Sequence, residues 1–211
     1  MDSNQKKTLA AAAAVVAALA LAVGVIALMR DGGKSGDSEP ADFKGMLALA
    51  ERGNAAAQYN VGCMYMTGEG VEKDVRRGVE WLTRSAVGGD PDAQFNLSAL
   101  YASGTGLPRD LSESVKWCRM AAERGNLEAQ HNLGYAYYKG HGVAKDRTEA
   151  AKWFRRAAEQ GSAVSQYFLG DCLYAGLGVA KDRAEAVRWY RKSAEQGYAP
   201  AKDRLSAAGV K

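Results

Sequence analysis

Few residues in this chain are of a type that does chemistry, and their spacing argues against most of the chemistry they allow. His131 and His141 are the only two histidines and stand ten residues apart. Neither has a carboxylate or cysteine at ligand spacing, so they make no metal site. Cys63, Cys118 and Cys172 are odd in number and unpaired in spacing. They read as small apolar core fillers, with Cys63 the most accessible, and not as a disulfide framework or a zinc site. Glycine pairs such as Gly140 and Gly142 invite comparison with phosphate-cradling loops, but no strand precedes them and no Gly-Lys-Ser/Thr follows. They read as helix-ending turns. Ser3 and Lys6 match Ser-x-x-Lys by chance, in a short tail. No catalytic residue, metal ligand or cofactor site is expected, and no small-molecule substrate.

The elements that would position any site are marked by a single period. Trp81, Trp117, Trp153 and Trp189 are the four tryptophans of the chain, each 36 residues from the next. Gln58, Gln94, Gln130 and Gln166 follow the same step, as do Asp74, Asp110, Asp146 and Asp182 and the glycines from Gly53 to Gly197. A period of this length marks stacked supersecondary units. Four prolines, 9% aromatics and a 25% content of charged residues suit a helical protein. The net charge is +4, with acids and bases alternating along the repeats. That is a solvated helical surface, without the concentrated basic face of a nucleic-acid binder.

Each repeat reads as two helices. Asn54, Asp90, Asn126 and Ser162 are residue types that cap a first helical turn, and Pro91 suits the position after its cap. The first helix A is expected over about residues 55–67, with Ala57, Val61, Met64 and Tyr65 as its inward stripe. Gly68 ends it. Helix B begins at the periodic aspartate, and Glu113, Glu149 and Glu185 three residues on resemble the second half of a capping box. Arg77 holds that place in the first repeat. Neither helix can bury its apolar stripe alone, so a stack with atypical ends is required. The fold class is therefore all-α, a solenoid of helix-turn-helix repeats in the order B-(A-B)×4-A. Residues 38–53 form an amino-terminal half-repeat, residues 54–89, 90–125, 126–161 and 162–197 the four repeats, and residues 198–211 a closing helix and tail.

Ahead of the array, residues 1–7 form a short tail that includes Lys6 and Lys7. Residues 8–29 form an uncharged run of 22 residues, about 33 Å long as a helix and sufficient to span a bilayer core. A cleaved signal peptide is the competing reading, since Ala20-Leu21-Ala22 resembles a cleavage site. The length of the run favours an uncleaved single-pass transmembrane anchor in the cytoplasmic (inner) membrane. Lys6 and Lys7 favour a cytoplasmic amino terminus and place the repeats in the periplasmic or extracytoplasmic space, although Arg30, Lys34 and Lys44 stand on the other side. Cleavage would release the repeats as a secreted protein. Residues 30–37 read as a flexible linker of roughly 15 Å reach.

At this point the residues carry a likeness. Ala129-Gln130-His131-Asn132-Leu133-Gly134, then Gly140-x-Gly142-Val143 up to Asp146, then Trp153 and Ala157-Ala158-Glu159-Gln160-Gly161, resemble the Sel1-like repeat, a relative of the tetratricopeptide repeat. The likeness covers about residues 38–208. It implies a right-handed superhelix whose concave face, lined by A helices, binds a peptide or protein partner. Bacterial members of the family imply an adaptor or scaffold in an envelope, signalling or host-interaction role, with no enzymatic activity. Cysteine-rich relatives described as β-lactam-binding or β-lactam-hydrolysing supply an alternative, but they carry cysteine pairs in each repeat and this chain does not. A structural part in envelope assembly is a further alternative.

By analogy with the tetratricopeptide arrangement, Tyr59, Phe95, His131 and Tyr167 fall at one groove-facing position, and Asn60, Asn96 and Asn132 at the next. Aromatic bodies with polar tips give large contact area at small entropic cost, and amides can bond both the N–H and C=O of an extended peptide. The same residues have a structural reading, in which the amides hold adjacent helices and the aromatics pack. Phe168 interrupts the amide series. Met66, Tyr135, Tyr138, Asp171 and Tyr174 could extend the surface, and no lysine clamp for a terminal carboxylate occurs at these positions.

Overall fold

The computed structural model describes residues 43–207 and 209. The apolar run over residues 8–29, the linker over residues 30–37 and the first residues of the half-repeat lie outside them. Among the described residues, no helix is long and apolar enough to cross a membrane.

The described chain is an all-helical repeat array without strands. The helices are α1 (Phe43–Glu51), α2 (Ala55–Thr67), α3 (Val75–Val87), α4 (Pro91–Ser103), α5 (Leu111–Glu123), α6 (Leu127–Lys139), α7 (Arg147–Glu159), α8 (Ala163–Ala175), α9 (Arg183–Glu195) and α10 (Ala199–Ala207). They fall into two compact units, one ending at Asp110 and one beginning at Leu111. Even-numbered helices are of the A type and odd-numbered ones of the B type.

The periodic polar residues start the helices as their chemistry predicts. Asn54 Oδ1 accepts from Ala57 N–H at 2.9 Å, Asp90 from Ala93 N–H at 2.8 Å, Asn126 from Ala129 N–H at 2.8 Å and Ser162 from Ser165 N–H at 3.3 Å. Asp74, Asp146 and Asp182 cap α3, α7 and α9 in the same way. The capping box is not what completes them. The backbone N–H groups of Asp74, Asp110, Asp146 and Asp182 donate to the carbonyls of Tyr65, Tyr101, Tyr137 and Leu173, at 2.9–3.0 Å. The glycine turn folds the aspartate back onto helix A, so a backbone acceptor takes the place a glutamate would fill. The glutamates are engaged otherwise: Glu149 accepts from Lys152, and Glu185 accepts from Arg155 and Trp189.

One side-chain bond repeats through the array. The Nε2 groups of Gln58, Gln94, Gln130 and Gln166 donate to the carbonyls of Ala50, Ala86, Ala122 and Ala158, at 3.1, 3.0, 3.1 and 3.2 Å. Each ties a helix A to the last turn of the preceding helix B. In the second unit the glutamines are themselves held, because Gln160 Nε2 donates to Gln130 Oε1 at 2.7 Å and Gln196 Nε2 to Gln166 Oε1 at 2.8 Å.

The packing between helices is close because the facing residues are small. In the first unit Ala50, Ala57, Val61, Tyr65 and Trp81 form a core on which Phe43, Met46, Leu47 and Val71 close. Helix A also carries a glycine where helix B turns a large residue inward. A Cβ at Gly62, Gly134 or Gly170 would fall 2.8, 2.8 or 2.5 Å from Leu82, Phe154 or Tyr190. The second repeat has Ser98 and Cys118 at these two positions. Cys118 and Cys172 are buried and Cys63 half-buried, and burial pushes the Cys63 and Cys172 thiols up to about 11. These two thiols are poor nucleophiles at neutral pH.

The second glycine of a turn has a separate task. Gly178 has φ +72, and a Cβ there would lie 2.1 Å from the Arg147 carbonyl oxygen, so the turn rests directly on the start of the preceding helix B. Gly161 also has a positive φ, yet a Cβ there would meet nothing within 4 Å. Gly161→Ala is therefore expected to cost only the left-handed strain of about 1–2 kcal/mol, and Gly178→Ala at least about 2 kcal/mol more, since backbone must move. Denaturant unfolding of the two variants measures the difference.

Candidate functional site

The expected groove residues lie on α2 and α4 in the first unit and on α6 and α8 in the second, and the two units treat them differently. In the first, Tyr59 is 2% exposed and Asn96 4% exposed. Asn96 Nδ2 donates to Tyr59 Oη at 3.3 Å, tying α4 to α2. Burial holds the Tyr59 phenol well above its usual range, so it stays protonated. Phe95 and Asn60 are half-buried, and Asn60 Nδ2 approaches Met46 Sδ at 3.9 Å. Here Tyr59 and Asn96 are interior residues that hold neighbouring A helices, and only Phe95 and Asn60 keep accessible surface.

The second unit keeps more of the row outside. Asn132 is exposed, and His131 and Tyr167 are half-buried. His131 Nδ1 lies 2.9 Å from Ser165 Oγ, linking α6 to α8. Burial lowers its pKa to about 4, so the imidazole is neutral at physiological pH. The Tyr167 ring packs edge-on against Phe168 and Tyr198, with centroids 5.4 Å away in each case. Burial raises the Tyr167 phenol as well.

Phe168, which breaks the amide series, is the centre of this surface. Its ring stacks on the buried Phe154 at 5.1 Å and 19°. Around it stand His131 at 5.6 Å, Tyr135 at 5.9 Å and Tyr138 at 6.2 Å. The Lys139 ammonium lies 5.7 Å from the Tyr135 centroid and 5.5 Å from that of Tyr138. Tyr135, Tyr138 and Phe168 are half-buried, while Lys139, His141 and Tyr174 are exposed. The result is an aromatic surface on α6 and α8 whose floor is fixed by Phe154 and whose rim is polar. The sequence carried its signal in plain view: Phe replaces Asn at residue 168 beside tyrosines one helical turn apart at residues 135 and 138. Periodicity steers attention to what repeats, and this residue does not repeat.

Asp171, beside that surface, is engaged within the fold. Its Oδ1 accepts from Tyr190 Oη at 2.7 Å, and Arg204 on α10 approaches it at 3.0 Å. That network fastens the closing helix to α8. Met66 lies against helix B, within 2.7 Å of where a Cβ on Gly78 would be. No group of three His, Cys, Asp or Glu side chains able to hold a metal occurs among the described residues.

The arrangement can now be set beside known proteins. The Sel1 repeat profile matches residues 55–90, 91–126, 127–162 and 163–198. Among solved structures, a protective antigen of uropathogenic Escherichia coli strains with an SLR fold is 36% identical at a TM-score of 0.76. The match covers 81% of this chain, which spans 37% of that protein. A Sel1 repeat protein from Oxalobacter formigenes is 35% identical at a TM-score of 0.70, over 78% of this chain and 67% of its own. The cysteine-rich protein B of Helicobacter pylori, 22% identical at a TM-score of 0.50 over 63% of this chain and 98% of that one, shares the fold. No curated protein matches.

The half-buried imidazole gives a pH test. A folded-state pKa of about 4 for His131, against about 6.5 unfolded, means that the unfolded chain takes up the proton first on acidification. Stability from this group is complete above the unfolded value, falls as pH drops from 6.5 toward 4, and levels off below. Between pH 7 and pH 5 the melting temperature should fall, and His131→Phe, the residue type of the second repeat, should flatten that part of the profile. Thermal melts of both proteins across this range check it.

Proposed function

This chain belongs to the Sel1 repeat family, and on that premise we propose that it is a membrane-anchored scaffold which binds a protein or peptide partner across its A helices. The observation that carries this reading is the aromatic surface of α6 and α8. Phe168, Tyr135 and Tyr138 present ring area that the core does not close over, and Asn132 and Tyr174 add exposed polar tips. Rigid aromatics around a packed floor, rimmed by polar groups, are the composition of an interface hot spot. In the first unit Phe95 and Asn60 offer a smaller contact of the same kind.

The membrane part of the proposal rests on the sequence of residues 8–29, uncharged and of bilayer length. An envelope or host-interaction setting is in keeping with the similar protective antigen, of which this chain spans 37%. A partner with apolar side chains on an extended or helical segment fits the surface best, since the rings offer area and the rim offers hydrogen bonds.

Affinity capture on the full chain, read by mass spectrometry, identifies the partner. Tyr138→Ala with Tyr174→Ala should then weaken its binding by about 2 kcal/mol or more, while the melting curve stays nearly unchanged. Tyr59→Ala should do the reverse, losing about 3–5 kcal/mol of stability as a buried aromatic does. Full-strength binding by the tyrosine pair variant would contradict the assignment of the surface. An alkaline-phosphatase fusion after Lys211 should be active and membrane-bound; reporter activity confined to the cytoplasm would reverse the topology.

A further inference from the structure

The B helices α7 and α9 of the second unit are rich in cations. Lys152 and Arg188 occupy one repeat position and Arg155 and Arg191 another, as Lys116 and Arg119 do on α5, and on α3 the same positions hold Glu80 and Thr83. Because α3 forms the same 13-residue helix with those two residues as α7 and α9 form without them, the repeat does not require cations there. Arg156 and Lys192 stand at a third position, each stacked over its own tryptophan, 4.5 Å from the Trp153 centroid and 4.4 Å from that of Trp189, as Arg84 on α3 is over Trp81 at 4.4 Å.

The two helices lie side by side on this face, as the Arg155–Glu185 ion pair at 2.8 Å shows. Lys152 is also paired, with Glu149, and its side chain remains 62% exposed. Arg156, Arg188, Arg191 and Lys192 are exposed. Each helix carries four cations against two carboxylates, and the carboxylates stand at the helix ends, leaving the middle of the face basic. The chain-wide alternation of charge seen in the sequence thus gives way locally to a repeating cationic face.

We propose that this α7–α9 face docks on an anionic phospholipid surface, resting on the reading that the chain is membrane-anchored and leaving the α6–α8 aromatic surface to the partner. Cations repeated in two directions, along each helix and from one B helix to the next, match a surface whose anions also repeat laterally. A single acidic protein patch would need them at one place. Each Lys or Arg near such a surface contributes about 1 kcal/mol, and four to eight of them form a recognition cluster. Trp189, half-buried beneath Lys192, has the amphipathic ring that favours the headgroup level. An anchor in the same chain raises the effective concentration of the face at the bilayer, so weak individual contacts suffice.

The test uses the full chain with vesicles of phosphatidylcholine alone and of phosphatidylcholine with a third of phosphatidylglycerol. Flotation with the neutral vesicles reports the anchor. Acetylation of Lys152 and Lys192, followed by mass spectrometry, reports docking. Docking predicts that labelling falls about five-fold or more on anionic vesicles only, the worth of one such cation. The protection should disappear in high salt and in R188E/R191E, with R188Q/R191Q as a second variant should charge reversal disturb folding. A chain that fails to float with neutral vesicles but binds anionic ones through these arginines would remove the anchor and keep the docking face. Equal labelling on both vesicles would overturn the proposal, as would protection that survives both substitutions. Labelling that drops only when an acidic protein is added would assign the face to a protein instead.

Discussion

A helix that runs into a turn leaves its last carbonyls with lone pairs to spare, and in a stack of helices those carbonyls end up inside. The glutamine lattice is the answer to that constraint here. The Ala158 carbonyl takes the Gly161 N–H of its own turn at 3.1 Å and the Gln166 amide at 3.2 Å. The carbonyls of Ala50, Ala86 and Ala122 are satisfied alike. A bond of this kind fixes register as well as adding stability, because the amide reaches its acceptor only when helix A sits at one height against helix B. The rest follows from that register: the glycines of helix A face Leu82, Phe154 and Tyr190, and the turn glycine lands on the start of the previous helix B. The lattice is complete only in part. Gln94 Oε1 is buried without a partner, whereas Gln130 and Gln166 accept from the glutamines that follow.

With register held from within, the surfaces are released for other uses, and the repeats spend them differently. At one motif position Asn96 is interior, Asn60 half-buried and Asn132 exposed, while Phe168 gathers five neighbouring rings. Identity of motif does not mean identity of environment. Function in such an array is written in the departures from the repeat, since the conserved period is already committed to capping, register and packing. The ring cluster that Phe168 gathers is a departure of this sort.

Much of the fold was legible because its signals are local. Asn54, Asp90, Asn126 and Ser162 cap helices for reasons contained in their own side chains and the next three residues. Gly68, Gly104, Gly140 and Gly176 adopt the left-handed conformation that their position announces. The capping-box reading failed for a non-local reason: the aspartate N–H meets a helix A carbonyl nine residues earlier, which no spacing rule within helix B contains. Tyr59 and Asn96 show the same limit. An aromatic or amide at a repeat position is equally fit for groove or core, and only the neighbouring helix decides between them. Phe168 was visible as an exception, but its role depends on Phe154 from another helix.

The central claim, that one glutamine per repeat sets helix register, is tested most directly by denaturant unfolding of Gln166→Leu. Leucine keeps the bulk and removes the donor to Ala158 and the acceptor for Gln196. The account predicts a loss of about 1–3 kcal/mol from the two broken hydrogen bonds and the polar groups left behind. Unfolding within about 0.5 kcal/mol of the unsubstituted chain, the range of an ordinary surface change, would contradict it.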